Sequence, residues 1–259
     1  MDSVPILLDM NNGIAKLTFS RPQQLNSIDV SMATALEERV KELNQEKSVK
    51  VIVISGEGRC FGAGGSLSAF KSGSESTAKE IIDPMHRAVT MLTNMDAIVI
   101  ASLHGSVAGG SLSLALACDL VIAAENTTFN LAYVKVAASC DVGGSWHLPR
   151  LMGLRRAFEF ALLGQTLTSK EAFEIGLINR VVPNEDLTRV TIDLAEQLAK
   201  GPTLAYAKLK RLFRKSFENT FEHQLALESE YFEASSKTAD FAEAINSFFE
   251  KRAPQFIGR

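Results

Sequence analysis

The sequence predicts an α/β fold, with a layered core of alternating buried strands and helices followed by a helical C-terminal part. Continuous apolar runs such as Val51 to Ser55 are typical of strands buried on both faces. Helical spacing of apolar residues marks the segments between them. After Gly201-Pro202 the pattern stays helical almost to the end. We therefore divide the chain into a core over residues 1–200 and a helical part over 201–259.

The chain opens with a predicted hairpin. Its strands cover Ile6 to Asp9 and Ile14 to Phe19, and Asn11-Asn12-Gly13 supplies the turn. A helix over Ser31 to Leu43 and the strand Val51 to Ser55 follow.

The same alternation then repeats along the core. We predict helices over Ala78 to Leu92 and Ser111 to Cys118, and strands over Ala97 to Leu103, Leu120 to Ala124 and Leu177 to Val182. Short helices begin at Gly144. The phenylalanines of the helical C-terminal part must be buried on the core or on another subunit.

Composition and charge exclude several classes of function. A net charge of -3 is not that of a nucleic-acid-binding domain. No apolar run approaches the ~20 residues of a membrane span, and the start resembles no export signal, so we expect a cytoplasmic protein. Three cysteines without a CxxC pair favour neither disulfides nor a metal site. One basic cluster remains open between a solvated helix face and an anion-binding face: Lys208, Lys210, Arg211, Arg214 and Lys215.

Two glycine-rich turns each follow a predicted strand, over Cys60 to Ser66 and Gly105 to Ser111. Glycine lets a ligand approach the backbone, and amides in the first turn of a helix lack internal acceptors. If the amides of Gly65 and Gly110 converge on one carbonyl oxygen, they would stabilise an enolate by about 3–4 kcal/mol per donor. Each turn alone is weak evidence, since a Gly-rich turn between strand and helix is more often structural, and neither turn matches a dinucleotide or phosphate-loop pattern.

Several further segments accompany these turns: SRPQQLNSI, CFGAGGSL, VIASLHGSVAGGSLSLALACDLVIA, DVGGSWHLPRLMG and LTSKEAFEIGLINRVV. Together they resemble the crotonase (enoyl-CoA hydratase/isomerase) superfamily along nearly the whole chain. The resemblance implies a spiral of ββα units with a helical C-terminal part that trimerises, as a homotrimer or a hexamer formed by two trimers. It also implies an acyl-CoA substrate whose thioester oxygen meets the amides of Gly65 and Gly110.

By the same resemblance, Arg21, Ala63 and Gly65 lie beside the coenzyme A moiety, and no further cofactor is implied. Arg21 could instead be a surface cation before a turn-forming proline.

The resemblance also indicates which side chains carry the chemistry. Hydratases of this family use two glutamates, and the matching positions here are Ser113 and Tyr133. Asp141 resembles the acidic residue of family isomerases and the nucleophile of 4-chlorobenzoyl-CoA dehalogenases. Its position before Gly143-Gly144 would also suit the N-cap of a helix.

His86 and Tyr133 fall where the dehalogenase has a histidine and a tryptophan, so both are candidate catalytic or pocket-lining residues. We expect an enoyl-CoA isomerase with Asp141 as the proton shuttle. The alternatives are a hydratase with an atypical site, an aryl-CoA dehalogenase or thioester hydrolase with Asp141 as the nucleophile, and a catalytically weak CoA-binding subunit.

Overall fold

The computed structural model describes residues 4–73 and 75–259. Its strands are β1 (Ile6–Asn11), β2 (Ile14–Phe19), β3 (Val51–Gly56), β4 (Ile98–Leu103), β5 (Ser106–Ala108), β6 (Leu120–Ala124), β7 (Thr128–Asn130), β8 (Thr166–Thr168) and β9 (Arg180–Val182). Its α-helices are α1 (Val30–Gln45), α2 (Leu67–Ser72), α3 (Thr77–Asn94), α4 (Gly109–Ala117), α5 (Gly144–Met152), α6 (Leu154–Leu162), α7 (Ser169–Glu174), α8 (Leu187–Ala199), α9 (Thr203–Lys215), α10 (Phe221–Ser236) and α11 (Ala239–Glu250).

The main sheet has six strands in the order β1-β2-β3-β4-β6-β9. β1 and β2 form the predicted antiparallel hairpin, and every later neighbour pairs in parallel. Asn12 and Gly13 both have positive φ, 52° and 77°, as the tight turn between right-twisted strands requires. The sequence therefore placed the start of the sheet correctly.

Helices cover both faces of this sheet, which explains its continuous apolar runs. Ile52 and Ile54 of β3 point into the larger core cluster, where α1 and α3 pack against each other. Val51 and Val53 point to the opposite face, which α8 covers. Successive side chains of a strand point to opposite faces. When helices cover both faces, both sets of side chains are mostly apolar and the sequence shows no alternation of apolar and polar residues.

A second sheet, in the order β5-β7-β8, escapes the sequence analysis because each of its strands has three residues. Helix α2 was also missed. The predicted strand over 177–182 shortens to Arg180–Val182, while Leu177 and Ile178 are buried outside any strand. Short elements carry too little periodicity to distinguish a strand from a buried loop.

Two members of the basic cluster on α9, Lys210 and Arg214, form ion pairs with Asp119. Lys210 lies 2.8 Å from Asp119 Oδ2, and its ammonium also donates to the carbonyl oxygens of Leu92 and Ala97. Arg214 lies 2.7 Å from Asp119 Oδ1. Lys208 hydrogen-bonds Ser235, Arg211 pairs with Asp96, and Lys215 pairs with Glu218.

Among the described residues, no helix is long and apolar enough to cross a membrane.

Candidate active site

The two glycine-rich turns lie against each other. Gly62 donates to the carbonyl oxygen of Ser106 at 3.2 Å and accepts from the amide of Ala108 at 3.0 Å, which pairs the first turn with β5. Gly64 has a φ of +88°, and a Cβ placed on it would lie 2.8 Å from the carbonyl oxygen of Ala108. Only glycine fits at this close approach of two backbones.

The amides of Gly65 and Gly110 have no protein acceptor within residues 4–73 and 75–259. Ile28 pairs with the first turn through the carbonyl oxygen of Gly64 and the amide of Ser66, so Gly65's own amide is left unused by this bridge. Gly110 is the second residue of α4, where amides have no partner inside the helix. Both N–H groups therefore remain available to a ligand, and the partial positive charge of the helix terminus favours an anionic one.

Ser111, which the sequence analysis did not single out, joins the two turns. Its hydroxyl accepts from the amide of Gly64 at 3.3 Å, and the side chain is fully buried. A Cβ on Gly62 would lie 2.4 Å from the Ser111 oxygen. The signal was present as a polar residue directly after the double glycine, but only the fold shows what the hydroxyl meets.

Asp141 and Tyr133 come together beside the second turn. The Tyr133 hydroxyl donates to Asp141 Oδ1 in a short hydrogen bond, and it lies 3.3 Å from the buried Ser113 hydroxyl. A Cβ on Gly110 would lie 3.7 Å from the Tyr133 oxygen and 3.8 Å from Asp141 Oδ1. The structure therefore brings three of the predicted residues, Gly110, Tyr133 and Asp141, into one cluster.

Burial raises the pKa of the Tyr133 hydroxyl, and the neighbouring Asp141 carboxylate raises it further. The phenol therefore remains protonated and acts as a hydrogen-bond donor. Ser113 and Tyr133, which the sequence resemblance matches to the two hydratase glutamates, hydrogen-bond each other. Neither of these two side chains is a carboxylate that could activate water as a general base.

Asp141 does not cap the following helix, so that alternative is wrong. The N-cap of α5 is Gly143, which makes no side-chain cap, and the Asp141 carboxylate is turned toward Tyr133 instead. His86 approaches the same segment from α3, where its Nε2 accepts from the amide of Val142 at 3.1 Å. This nitrogen is consequently occupied by the backbone and is not free to activate a water.

The proposed coenzyme A contacts differ in their surroundings. Ala63 donates its amide to the carbonyl oxygen of Leu25, while its own carbonyl oxygen accepts from no described residue. Arg21 forms an ion pair with Asp29 at 2.9 Å and also donates to the Ser31 hydroxyl. Its guanidinium is therefore largely committed within the chain.

A buried asparagine, also missed, holds the Arg21 loop against the first glycine-rich turn. Asn26 accepts from the Arg21 amide through Oδ1, and its Nδ2 donates to the carbonyl oxygens of Glu57 and Cys60, all at 3.0 Å. Its φ of 51° is one that asparagine tolerates better than most residues. An Asn within the SRPQQLNSI segment was the available signal.

This combination of a layered fold and an amide-lined site defines a class, that of the crotonase superfamily. The family model for enoyl-CoA hydratase/isomerase matches residues 9–259. The chain therefore belongs to the enoyl-CoA hydratase/isomerase family, as the sequence resemblance predicted, and it is an acyl-CoA enzyme of that family.

Individual relatives span several reactions. The chain is 34% identical to the 1,2-epoxyphenylacetyl-CoA isomerase of Escherichia coli K12, covering 98% of each chain. It is 30% identical to the 4-chlorobenzoyl coenzyme A dehalogenase-2 of an Arthrobacter species, covering 95% of this chain and 91% of the relative. The crystal structure of an enoyl-CoA hydratase from Polaromonas sp. JS666 superimposes with a TM-score of 0.92, 30% identity and coverage of 97% and 99%.

Proposed function

We propose that the chain is an enoyl-CoA isomerase in which Asp141 carries the proton. The observation on which this rests is the cluster beside Gly110, where one carboxylate lies next to an amide with no protein acceptor. A single base suffices to move a double bond, whereas adding water in this family uses two carboxylates. By the sequence resemblance, Ser113 and Tyr133 stand where those carboxylates would be.

In the proposed reaction, the amides of Gly65 and Gly110 bind the thioester oxygen of a 3-enoyl-CoA. Asp141 removes a proton from the α-carbon, and the negative charge moves onto the thioester oxygen, where the two amides stabilise it. The same carboxyl group then returns the proton to the γ-carbon, which leaves a 2-enoyl-CoA. Tyr133 donates to Asp141 and orients it, and Ser113 supports the phenol.

Coenzyme A is proposed to lie along the first glycine-rich turn. The carbonyl oxygen of Ala63 supports this placement because it has no acceptor role within the described chain. Arg21 remains a candidate contact for the nucleotide, although its ion pair with Asp29 weakens its attraction for a phosphate.

The proposal also includes a homotrimer, or a hexamer of two trimers, formed through the helical C-terminal part. Six phenylalanines there are between 62% and 77% exposed. Exposed apolar area of this size is typical of a contact surface. Sedimentation of the purified protein would give a mass of three or six chains, whereas a monomer would contradict this part of the proposal. The phenylalanines are Phe213, Phe217, Phe221, Phe232, Phe248 and Phe249.

The reaction is tested by incubating the protein with 3-enoyl-CoA, 2-enoyl-CoA and aryl-CoA esters in deuterated water. Deuterium should enter the α-carbon of the enoyl ester with the wild type and with Asp193→Asn, a control on the surface of α8, but not with Asp141→Asn. Transient ¹⁸O in the Asp141 carboxylate during a single turnover in labelled water would support a nucleophilic role instead. Binding of the esters without any conversion would contradict an enzymatic role.

A further inference from the structure

The peptide after Asp141 has an unfavourable backbone conformation. Val142 has a φ of +53° and is followed by Gly143 at +84°. For a β-branched residue, a left-handed φ is a real outlier, since Cβ crowds the backbone, and such residues persist only where the surroundings impose the conformation. The strained residue is the immediate neighbour of the proposed proton carrier.

One contact from another element holds this peptide. The amide of Val142 donates to Nε2 of His86, which lies 56 positions earlier on α3. A nitrogen that accepts carries no proton, so the neutral imidazole must have its proton on Nδ1. The Val142 side chain is 2% exposed and belongs to the core, so this amide would otherwise be left without a partner.

Helix α3, which carries His86, is held against α1 by an ion pair. Arg87, the next residue, donates twice to Glu37 of α1, at 2.7 and 2.8 Å. Asp83 and Arg87 are charged neighbours of His86 on α3, and Asp141 directly precedes the facing Val142 peptide. Glu37, on α1, pairs with Arg87 and Lys41. No group in this set competes with Val142 for Nε2.

We propose that His86 is a positioning residue, whose neutral imidazole holds the Val142 peptide in its strained conformation and thereby places Asp141 beside Gly110. This rests on the proposed role of Asp141.

Two substitutions separate this role from simple packing. His86→Gln keeps a side-chain acceptor, whereas His86→Leu keeps the bulk and removes the acceptor. We expect His86→Leu to lower kcat about tenfold or more with KM changed less than about twofold, since a misplaced base affects the chemical step. His86→Gln should keep kcat within about threefold of wild type, because the amide oxygen of the glutamine side chain can replace Nε2 as the acceptor. His223→Gln on α10 is the control and should match wild type.

A second measurement does not depend on turnover. NMR spectra of the wild type and of His86→Gln, both labelled with ¹⁵N-histidine, identify the His86 signal as the one missing from the variant. That signal should be that of a neutral ring with an unprotonated Nε2. A ring with hydrogen on Nε2, or a Gln variant as impaired as the Leu variant, would overturn the proposal. The proposed function can fail separately. In that case Asp141→Asn would retain deuterium exchange at the α-carbon, while the His86 ring would still be neutral with an unprotonated Nε2. Thermal unfolding of each variant shows whether it is folded.

Discussion

Two aspartates of this chain, Asp119 and Asp141, differ in what surrounds their carboxylates. Asp119 lies before β6 and meets two cations, Lys210 and Arg214, and also accepts from the amide of Val99 at 2.9 Å. Asp141 meets one phenol, and the described part of the chain offers it no ion pair. A carboxylate paired with two cations contributes to structure, while one held by a single neutral donor is free of any ion pair that would commit it to the fold.

The largest effect that we expect separates these two carboxylates. Asp119→Asn leaves the ammonium of Lys210, 4% exposed, without its counterion, so the free energy of unfolding should fall by about 3–5 kcal/mol. Asp141→Asn removes a charge that has no cationic partner, and its unfolding free energy should stay within about 1 kcal/mol of wild type. Urea unfolding followed by circular dichroism measures both. Equal losses would refute the distinction between a structural and a functional aspartate.

Tyr133→Phe tests how Asp141 is held. Removing a hydrogen bond to a charged group costs about 1.5–3 kcal/mol, which corresponds to a fall in kcat of roughly 10- to 100-fold. In an Asp141→Asn background the same substitution should have little further effect, because both residues act through one contact. Tyr231→Phe, on α10, is the matched control. A fall in kcat of less than about twofold would mean that Tyr133 only lines the pocket.

A third carboxylate, Glu37, adds the dependence of stability on pH to this comparison. We expect its substitution to have the smallest effect of the three. The Arg87 hydrogen bond lowers the pKa of Glu37 to about 2. Because the folded pKa lies below the unfolded one, near 4.5, the ion pair stabilises the protein above about pH 4.5 and this contribution disappears as pH falls toward 2. Both cations, Arg87 and Lys41, are more than half exposed, so the contribution is partly screened.

Glu37→Gln should therefore unfold at lower urea than wild type at pH 7, with the difference shrinking toward pH 2. The control is Glu42→Gln, also on α1, whose carboxylate forms only an exposed pair with Arg39. A difference that is independent of pH would show that packing, rather than charge, connects α1 to α3 at this point.

Much of the fold could be predicted because long elements repeat their pattern many times. The hairpin, α1, β3, α3, β4 and β6 all lie within a few residues of their predicted bounds. The three-residue strands β5, β7 and β8 could not be predicted, and they matter for the site, since β5 carries the second glycine-rich turn against the first. A three-residue strand forms only when it hydrogen-bonds to a neighbouring strand, and a single sequence does not show which distant segment that neighbour is.

Within the candidate site, residue types were readable from the chain, but side-chain directions were not. Asp141 before two glycines looked suited to capping α5, yet its carboxylate turns to Tyr133, and Gly143 takes the N-cap position. The basic residues of α9 were compatible with a solvated helix face or an anion-binding face, yet two of them pair with Asp119 instead. In both cases the partner is distant in sequence, so local spacing alone cannot identify it.

The sequence by itself determined the family, the alternation of strands and helices, and the glycines at the two turns, because these depend on local pattern and on the absence of a side chain. The tertiary structure alone decided the surroundings of each polar group. Ser111 reaches Gly64, His86 reaches Val142 and Tyr133 reaches Asp141 through packing of separate elements. Protonation and hydrogen bonding depend on those neighbours in space, and folding is what brings them within reach.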